Sequence, residues 1–188
     1  FPVMFWIHGG SNIWGSGDFY DFSKLATTQQ VIVITINYRL GLFGWFSSEY
    51  LRNTSTGLDR SSNFGQLDLI KGLEWVQENI SAFGGDKENV TIFGESAGGH
   101  NVLTLLASPL SKGLFHKAIS QSGYVSSYTQ KFAEEESELS SKKIFADEIK
   151  FLVTDTEIAD YLRSLSSEEV YQKYKAKAEE HIYPITPI

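Results

Sequence analysis

The sequence predicts an α/β fold, a mostly parallel sheet with helices packed on it, and two observations carry that expectation. First, three short apolar runs have strand length: Pro2 to Ile7, Val31 to Tyr38 (VIVITINY) and Val90 to Phe93. The second is rich in β-branched residues and apolar at successive positions, which predicts a central strand buried on both faces. Second, two of these runs end in glycine-rich turns, His8-Gly9-Gly10 and Gly94-Glu95-Ser96-Ala97-Gly98. Loops at the carboxyl ends of parallel strands are where such sheets place their sites.

Taken in order, Lys24 to Gln30 predicts a short helix crossing from the first strand to the second, and Arg39 to Ser62 a long polar and aromatic connection. An amphipathic helix follows. Leu67, Ile70, Leu73, Val76 and Ile80 fall at helical spacing, with Asn63 and Gln66 as its expected capping box. Phe83-Gly84-Gly85-Asp86 ends that helix, and the third strand leads into a further helix from about Ala97 to Ala107, closed by Pro109. Lys117 to Ser120 predicts a last short strand with a turn at Gln121-Ser122-Gly123.

Charged side chains become denser after Lys131. Residues 1–130 are therefore expected to form the nucleophile-bearing part of a domain, and 131–188 a charged helical layer or cap on it. Thr154 with Glu157 and Ser166 with Glu169 predict two capped helices in that layer. Glu134-Glu135-Glu136 reads as a solvated helix face, and Tyr183 to Ile188 as an extended segment.

With 188 residues, 41% of them apolar and 14% aromatic, the chain can bury a core. A net charge of −7 and the lack of a basic run point away from nucleic acid as a partner. No stretch reaches the length of a membrane span. There is no cysteine, so no disulfide or thiolate metal site forms within these residues. No pattern calls for a cofactor, and localisation stays open, since no leader is visible at Phe1. The tripeptides at Asn53, Asn79 and Asn89 match the glycosylation pattern without a secretory context to support them.

Residues 94–98 are the G-x-S-x-G pattern, here between an apolar strand and a helix. The chemistry requires that spacing. A serine attacks a carbonyl only if its hydroxyl stands clear on a sharp turn, and the residues two before and two after must let strand and helix pass closely. The helix then aims its N-terminal amides at the position where negative charge develops. Ser96 is thus the candidate nucleophile.

The blocks HGGSNIWGSG, INYRLGLFGWF, NFGQLDLIKGLEWVQENISAFGGD, NVTIFGESAGG and AISQSG, in that order, resemble the type-B carboxylesterase family, the α/β-hydrolases that include cholinesterases. The resemblance covers most of residues 3 to 123. It implies an α/β-hydrolase fold, incomplete at both ends, since members run to several hundred residues. It implies two-step hydrolysis of small-molecule esters through an acyl-enzyme, with Ser96 attacking. The implied oxyanion hole is the backbone N–H groups of Gly10, Ser11 and Ala97. Ser11 departs from the glycine most relatives have there, so the loop has to reach its angles without glycine's freedom. Arg39 and Asp68 are implied as a structural ion pair; if poorly solvated, breaking it would cost about 3–5 kcal/mol. Leu69 stands where glutamine usually follows that aspartate. The triad acid and histidine are implied beyond Ile188.

Other residues compete for roles. Glu95 adjoins the nucleophile on a sharp turn, which sends the two side chains apart and favours a structural role. His8 reads as a hydrogen-bonded scaffold residue, and His116 as a surface one. His100 lies one helical turn from Ser96 but runs down the helix side, and His181 falls in a charged helix end. Trp14, Phe19 and Trp45 either line an acyl or alcohol pocket or fill the core. The leading function is a serine carboxylesterase. The alternatives are a cholinesterase-like adhesion module, which an intact serine argues against, and an acyltransferase using the same triad.

Overall fold

The structure, a computed structural model, describes residues 1–180. The expected extended segment at 183–188 and His181 lie outside the described residues. Its strands are β1 (Val3–Ile7), β2 (Ile32–Thr35), β3 (Val90–Glu95) and β4 (Lys117–Gln121). Its helices in chain order are α1 (Ser23–Gln29), α2 (Gly41–Gly44), α3 (Glu49–Asn53), α4 (Phe64–Asn79), α5 (Ala97–Ala107), α6 (Ser141–Ile144), α7 (Ala146–Ile149), α8 (Asp155–Ser164) and α9 (Ser167–Glu180). The chain divides into two units. One comprises Phe1–Leu40 and Gly65–Ser126; the other comprises Gly41–Phe64 and the chain from Ser127 on.

The first unit holds the sheet. Strands run in the order β2-β1-β3-β4 with every pair parallel, as the alternation of strands and helices predicts. β1 and β3 are the inner pair, and Val3, Phe5, Ile7, Val90 and Ile92 are all at most 1% exposed. The second apolar run forms a shorter strand than expected. β2 spans only Ile32–Thr35 and pairs with β1 among the described strands, with Ile32, Val33 and Ile34 half-buried and Thr35 exposed.

Against the sheet, α4 buries Leu69, Ile70, Leu73 and Val76. The buried stripe is turned from the one expected: Leu69 is fully buried and Leu67 half-buried. The expected capping box does not form. Asn63 Oδ1 is buried without a partner, and Gln66 turns inward to donate to Asn101 at 2.6 Å. A buried amide partner outcompeted a local cap.

Arg39 and Asp68 do pair, as the resemblance implies. Arg39 Nε and Nη2 donate to the two carboxylate oxygens at 2.8 Å each, and its backbone N–H donates at 2.9 Å. The side chains are 51% and 26% exposed, however, so the pair is not poorly solvated. Solvent screening brings its contribution down to the order of 1 kcal/mol.

The second unit buries Trp45, Ile144, Phe145, Ile158 and Ala159, with the Phe46 and Phe145 rings edge to face at 5.9 Å. Both predicted caps form. Thr154 and Glu157 make a full capping box on α8, and Ser166 and Glu169 exchange the equivalent bonds on α9. The long connection from Arg39 to Ser62 carries the short helices α2 and α3.

The acidic run is corrected in part. Glu134 is 5% exposed within a π-helical turn, Phe132–Glu136, and is held by Arg52 and by Ser47 at 2.6 Å. A π turn rotates one side chain of the run inward, which a solvated α-helical face would not do.

Candidate active site

The pattern at 94–98 folds as the sequence implies. β3 ends at Glu95, α5 begins at Ala97, and Ser96 between them sits at φ 55°, ψ −120°. A β-carbon makes that conformation costly, on the order of 1–3 kcal/mol, so it persists only where its surroundings impose it. Those surroundings are visible. The Ser96 N–H donates to the Gln121 carbonyl on β4 at 2.9 Å, and its carbonyl accepts from His100 N–H on α5 at 2.9 Å.

Crossing at this point is tight. A Cβ on Gly98 would lie 2.0 Å from the Ile7 carbonyl oxygen, and one on Gly94 would lie 2.6 Å from the Gly98 carbonyl. Strand β1, strand β3 and helix α5 therefore meet where only glycine fits, which is the packing reason for both ends of the pattern.

The loop after β1 runs directly beside this turn. A Cβ on Gly9 would lie 3.2 Å from Ser96 Cβ and 2.8 Å from the Glu95 carbonyl oxygen. Three successive residues then take positive φ: Gly10 at 103°, Ser11 at 55° and Asn12 at 58°. Ser11 thus adopts the left-handed backbone without being glycine. The Gly10 carbonyl accepts from Ile13 and Trp14 N–H groups at 2.9 and 3.1 Å, closing the turn. Among the described residues no acceptor takes the N–H of Gly10, Ser11 or Ala97. Ala97 opens α5, so its N–H is one of the helix's unpaired donors at the positive end of the dipole.

The histidines have other employment. His8 is 1% exposed; its Nδ1–H donates to the Gly9 carbonyl at 2.7 Å and its ring stacks on Tyr38 at 4.5 Å. Its Nε2 is buried with no partner. Burial lowers its pKa, against the raising effect of the Gly9 bond. The sign follows directly: the unfolded chain takes up a proton below about pH 6.5, and the folded one refuses it. Stability should therefore fall as pH drops through 6.5 toward the lowered value. Urea midpoints measured from pH 7.5 to 5 should fall in the parent and fall less in His8→Gln; equal slopes would contradict a buried, neutral His8.

His100 donates Nδ1–H to the Tyr124 carbonyl at 2.5 Å and stacks on the Tyr124 ring at 4.3 Å. His116 accepts from Val90 N–H and lies 3.7 Å from Glu88, at the opposite end of β3 from Ser96. Glu95 is exposed. Of the aromatics, Trp45 is core at 3% exposure, whereas Trp14 and Phe19 are 65% and 69% exposed.

Sequence reasoning missed a buried polar chain under the loop. Asn101 Nδ2 donates to Asn12 Oδ1 at 2.8 Å, and Gln66 donates to Asn101 Oδ1 at 2.6 Å. Tyr38 Oη donates to the His8 carbonyl at 2.6 Å and stands 3.4 Å from Asn12 Oδ1; burial raises its pKa. The available signal was a polar residue at an inward position of each helix.

A parallel sheet whose inner strand delivers a strained serine into a helix, with a glycine loop alongside, is the α/β-hydrolase arrangement. The chain belongs to the carboxylesterase family, whose model matches residues 1–188. It is 56% identical over 124 residues to the para-nitrobenzyl esterase of Bacillus subtilis (strain 168), and 53% identical over 123 residues to carboxylesterase 1E of Rattus norvegicus. Each alignment covers 65% of this chain, but only 24% and 20% of those relatives. Among solved structures, a Geobacillus stearothermophilus carboxylesterase superposes with a TM-score of 0.82 at 36% identity, covering 99% of this chain and 37% of the other. A thermophilic PNB esterase gives 0.79 at 38% identity, covering 99% and 37%.

Proposed function

We propose that Ser96 is the nucleophile of a carboxylic-ester hydrolase acting on small-molecule esters. The single observation that supports this most is the backbone of Ser96, strained between β3 and α5 beside three free N–H donors. Ser96 Oγ attacks the ester carbonyl carbon and gives its proton to a general base. The carbonyl oxygen, now an oxyanion, is received by the N–H groups of Gly10, Ser11 and Ala97. Collapse of the tetrahedral species expels the alcohol, which takes the proton back, and leaves an acyl-serine. Water attacks this ester in turn, releasing the carboxylic acid and restoring the serine.

The base and its acid come from outside the described residues in this reading. His8 and His100 direct Nδ1 to backbone carbonyls, and His116 lies at the wrong end of β3. His181 reads from the sequence as part of a charged helix end, so none of the chain's four histidines is left as the base and the 188-residue chain by itself should not turn over p-nitrophenyl butyrate at an enzymatic rate. Turnover at such a rate, abolished by Ser96→Ala, would require a base within the chain and overturn that part of the reading.

A further inference from the structure

We infer that Asn12, Asn101 and Gln66 are positioning residues that hold the oxyanion loop in register with the nucleophile turn; this rests on the esterase reading above. The loop places Ser11 and Asn12 at φ 55° and 58°, after Gly10 at 103°. Two successive non-glycine residues in the left-handed region are each strained, and such strain survives only if tertiary contacts over-determine it. Ser11 makes no side-chain bond that would do so among the described residues, and its side chain is exposed. The hold comes from the next residue.

Asn12 is 1% exposed and Asn101 fully buried. Their amides meet at 2.8 Å although the residues are 89 positions apart. Asn101 is on α5, the helix that starts at Ala97, so this one bond ties the segment bearing the Gly10 and Ser11 donors to the segment bearing Ser96 and the Ala97 donor. Gln66 on α4, 7% exposed, fixes the Asn101 amide by donating to its oxygen at 2.6 Å. That bond orients Asn101 Nδ2 toward Asn12. Asparagine also suits the place intrinsically, as one of the few non-glycine residues that tolerate positive φ.

Oxyanion stabilisation depends on donors fixed before the charge develops. Loosening the loop therefore weakens binding of the tetrahedral species while leaving ground-state ester binding nearly unchanged. The three amide side chains are buried and are not themselves the N–H donors, so their removal acts through the loop and the helix start that carry those donors.

The test is a double-mutant cycle in the full-length ester hydrolase that carries this chain. Asn12→Ala and Asn101→Ala should each lower kcat about 10- to 100-fold with KM within about twofold. The effect of the double variant should fall well short of the product of the singles, because each single already removes the shared Asn12–Asn101 bond. The inhibition constant of a trifluoromethyl ketone, which forms the tetrahedral adduct, should weaken in step with kcat. Gln66→Leu, at the outer end, should give a smaller loss of the same kind and serves if Asn101→Ala does not fold. Multiplicative singles, a rise in KM at constant kcat, or unchanged ketone inhibition would overturn the proposal. Failure of the esterase reading shows separately, as Ser96→Ala retaining full turnover.

Discussion

If Ser96 is the nucleophile as proposed, Ser96→Ala in the full-length protein is expected to lower kcat for a p-nitrophenyl ester by about 10⁶-fold while leaving the melting midpoint unchanged. The magnitude is that of losing a serine nucleophile that acts as a unit with its base. What remains, roughly 10³–10⁴ over water, is what preorganised donors and binding alone supply. In the proposed site those donors are the N–H groups of Gly10, Ser11 and Ala97, which the substitution does not touch. Fold should survive because alanine and serine share the β-carbon that makes φ 55° costly, so the strain at 96 is the same in both. A variant with kcat within tenfold of the parent would remove Ser96 from the mechanism.

Glu134→Ala should cost the protein about 3 kcal/mol. Both carboxylate oxygens are used. Oε1 accepts from Ser47 and from Arg52 Nη1, and Oε2 accepts from Arg52 Nη2 at 3.1 Å. The side chains are 22% exposed for Arg52 and 7% for Glu134, so deletion of the acid strands a guanidinium with little water. Breaking a buried pair costs about 3–5 kcal/mol, and the partial exposure of Arg52 sets the lower end. In a chain of this size the melting midpoint should drop by about 6–12 °C. Burial alone would push the Glu134 carboxyl up, but the Arg52 and Ser47 bonds outweigh it and hold the pKa below its usual value. The stability it contributes is therefore present at neutral pH and is lost only as acid carries the pH down through that lowered value. A midpoint within 2–3 °C of the parent, well inside the range of ordinary surface substitutions, would contradict the buried pair.

What could be read from the sequence was what periodicity and local chemistry encode. The β3–turn–α5 unit was legible because one short pattern sets all its parts: an apolar strand, two glycines where backbones touch, and a helix start. The caps at Thr154 and Ser166 were legible because each is a bond between residues three apart. Failures came where partners are distant in sequence. Gln66 was expected to cap its own helix, and the capping pattern is present; only the fold brings Asn101 to 2.6 Å and wins the amide. Glu134 sits in a run of three acids, and nothing nearby announces Arg52, which approaches from 82 positions away. Ser11 was legible as a departure from the family pattern. The way its positive φ is held, through Asn12, was not.

Covalent labelling distinguishes an activated Ser96 from every other serine of the chain. The full-length protein should be treated with a fluorophosphonate probe, digested, and mapped by mass spectrometry. An exposed hydroxyl activated by a base reacts with such a probe, and other serines do not. One modified serine is expected, Ser96, in the peptide containing GESAGG, with labelling absent in Ser96→Ala. A label on Ser11 or Ser122, with Ser96 unmodified, would contradict it.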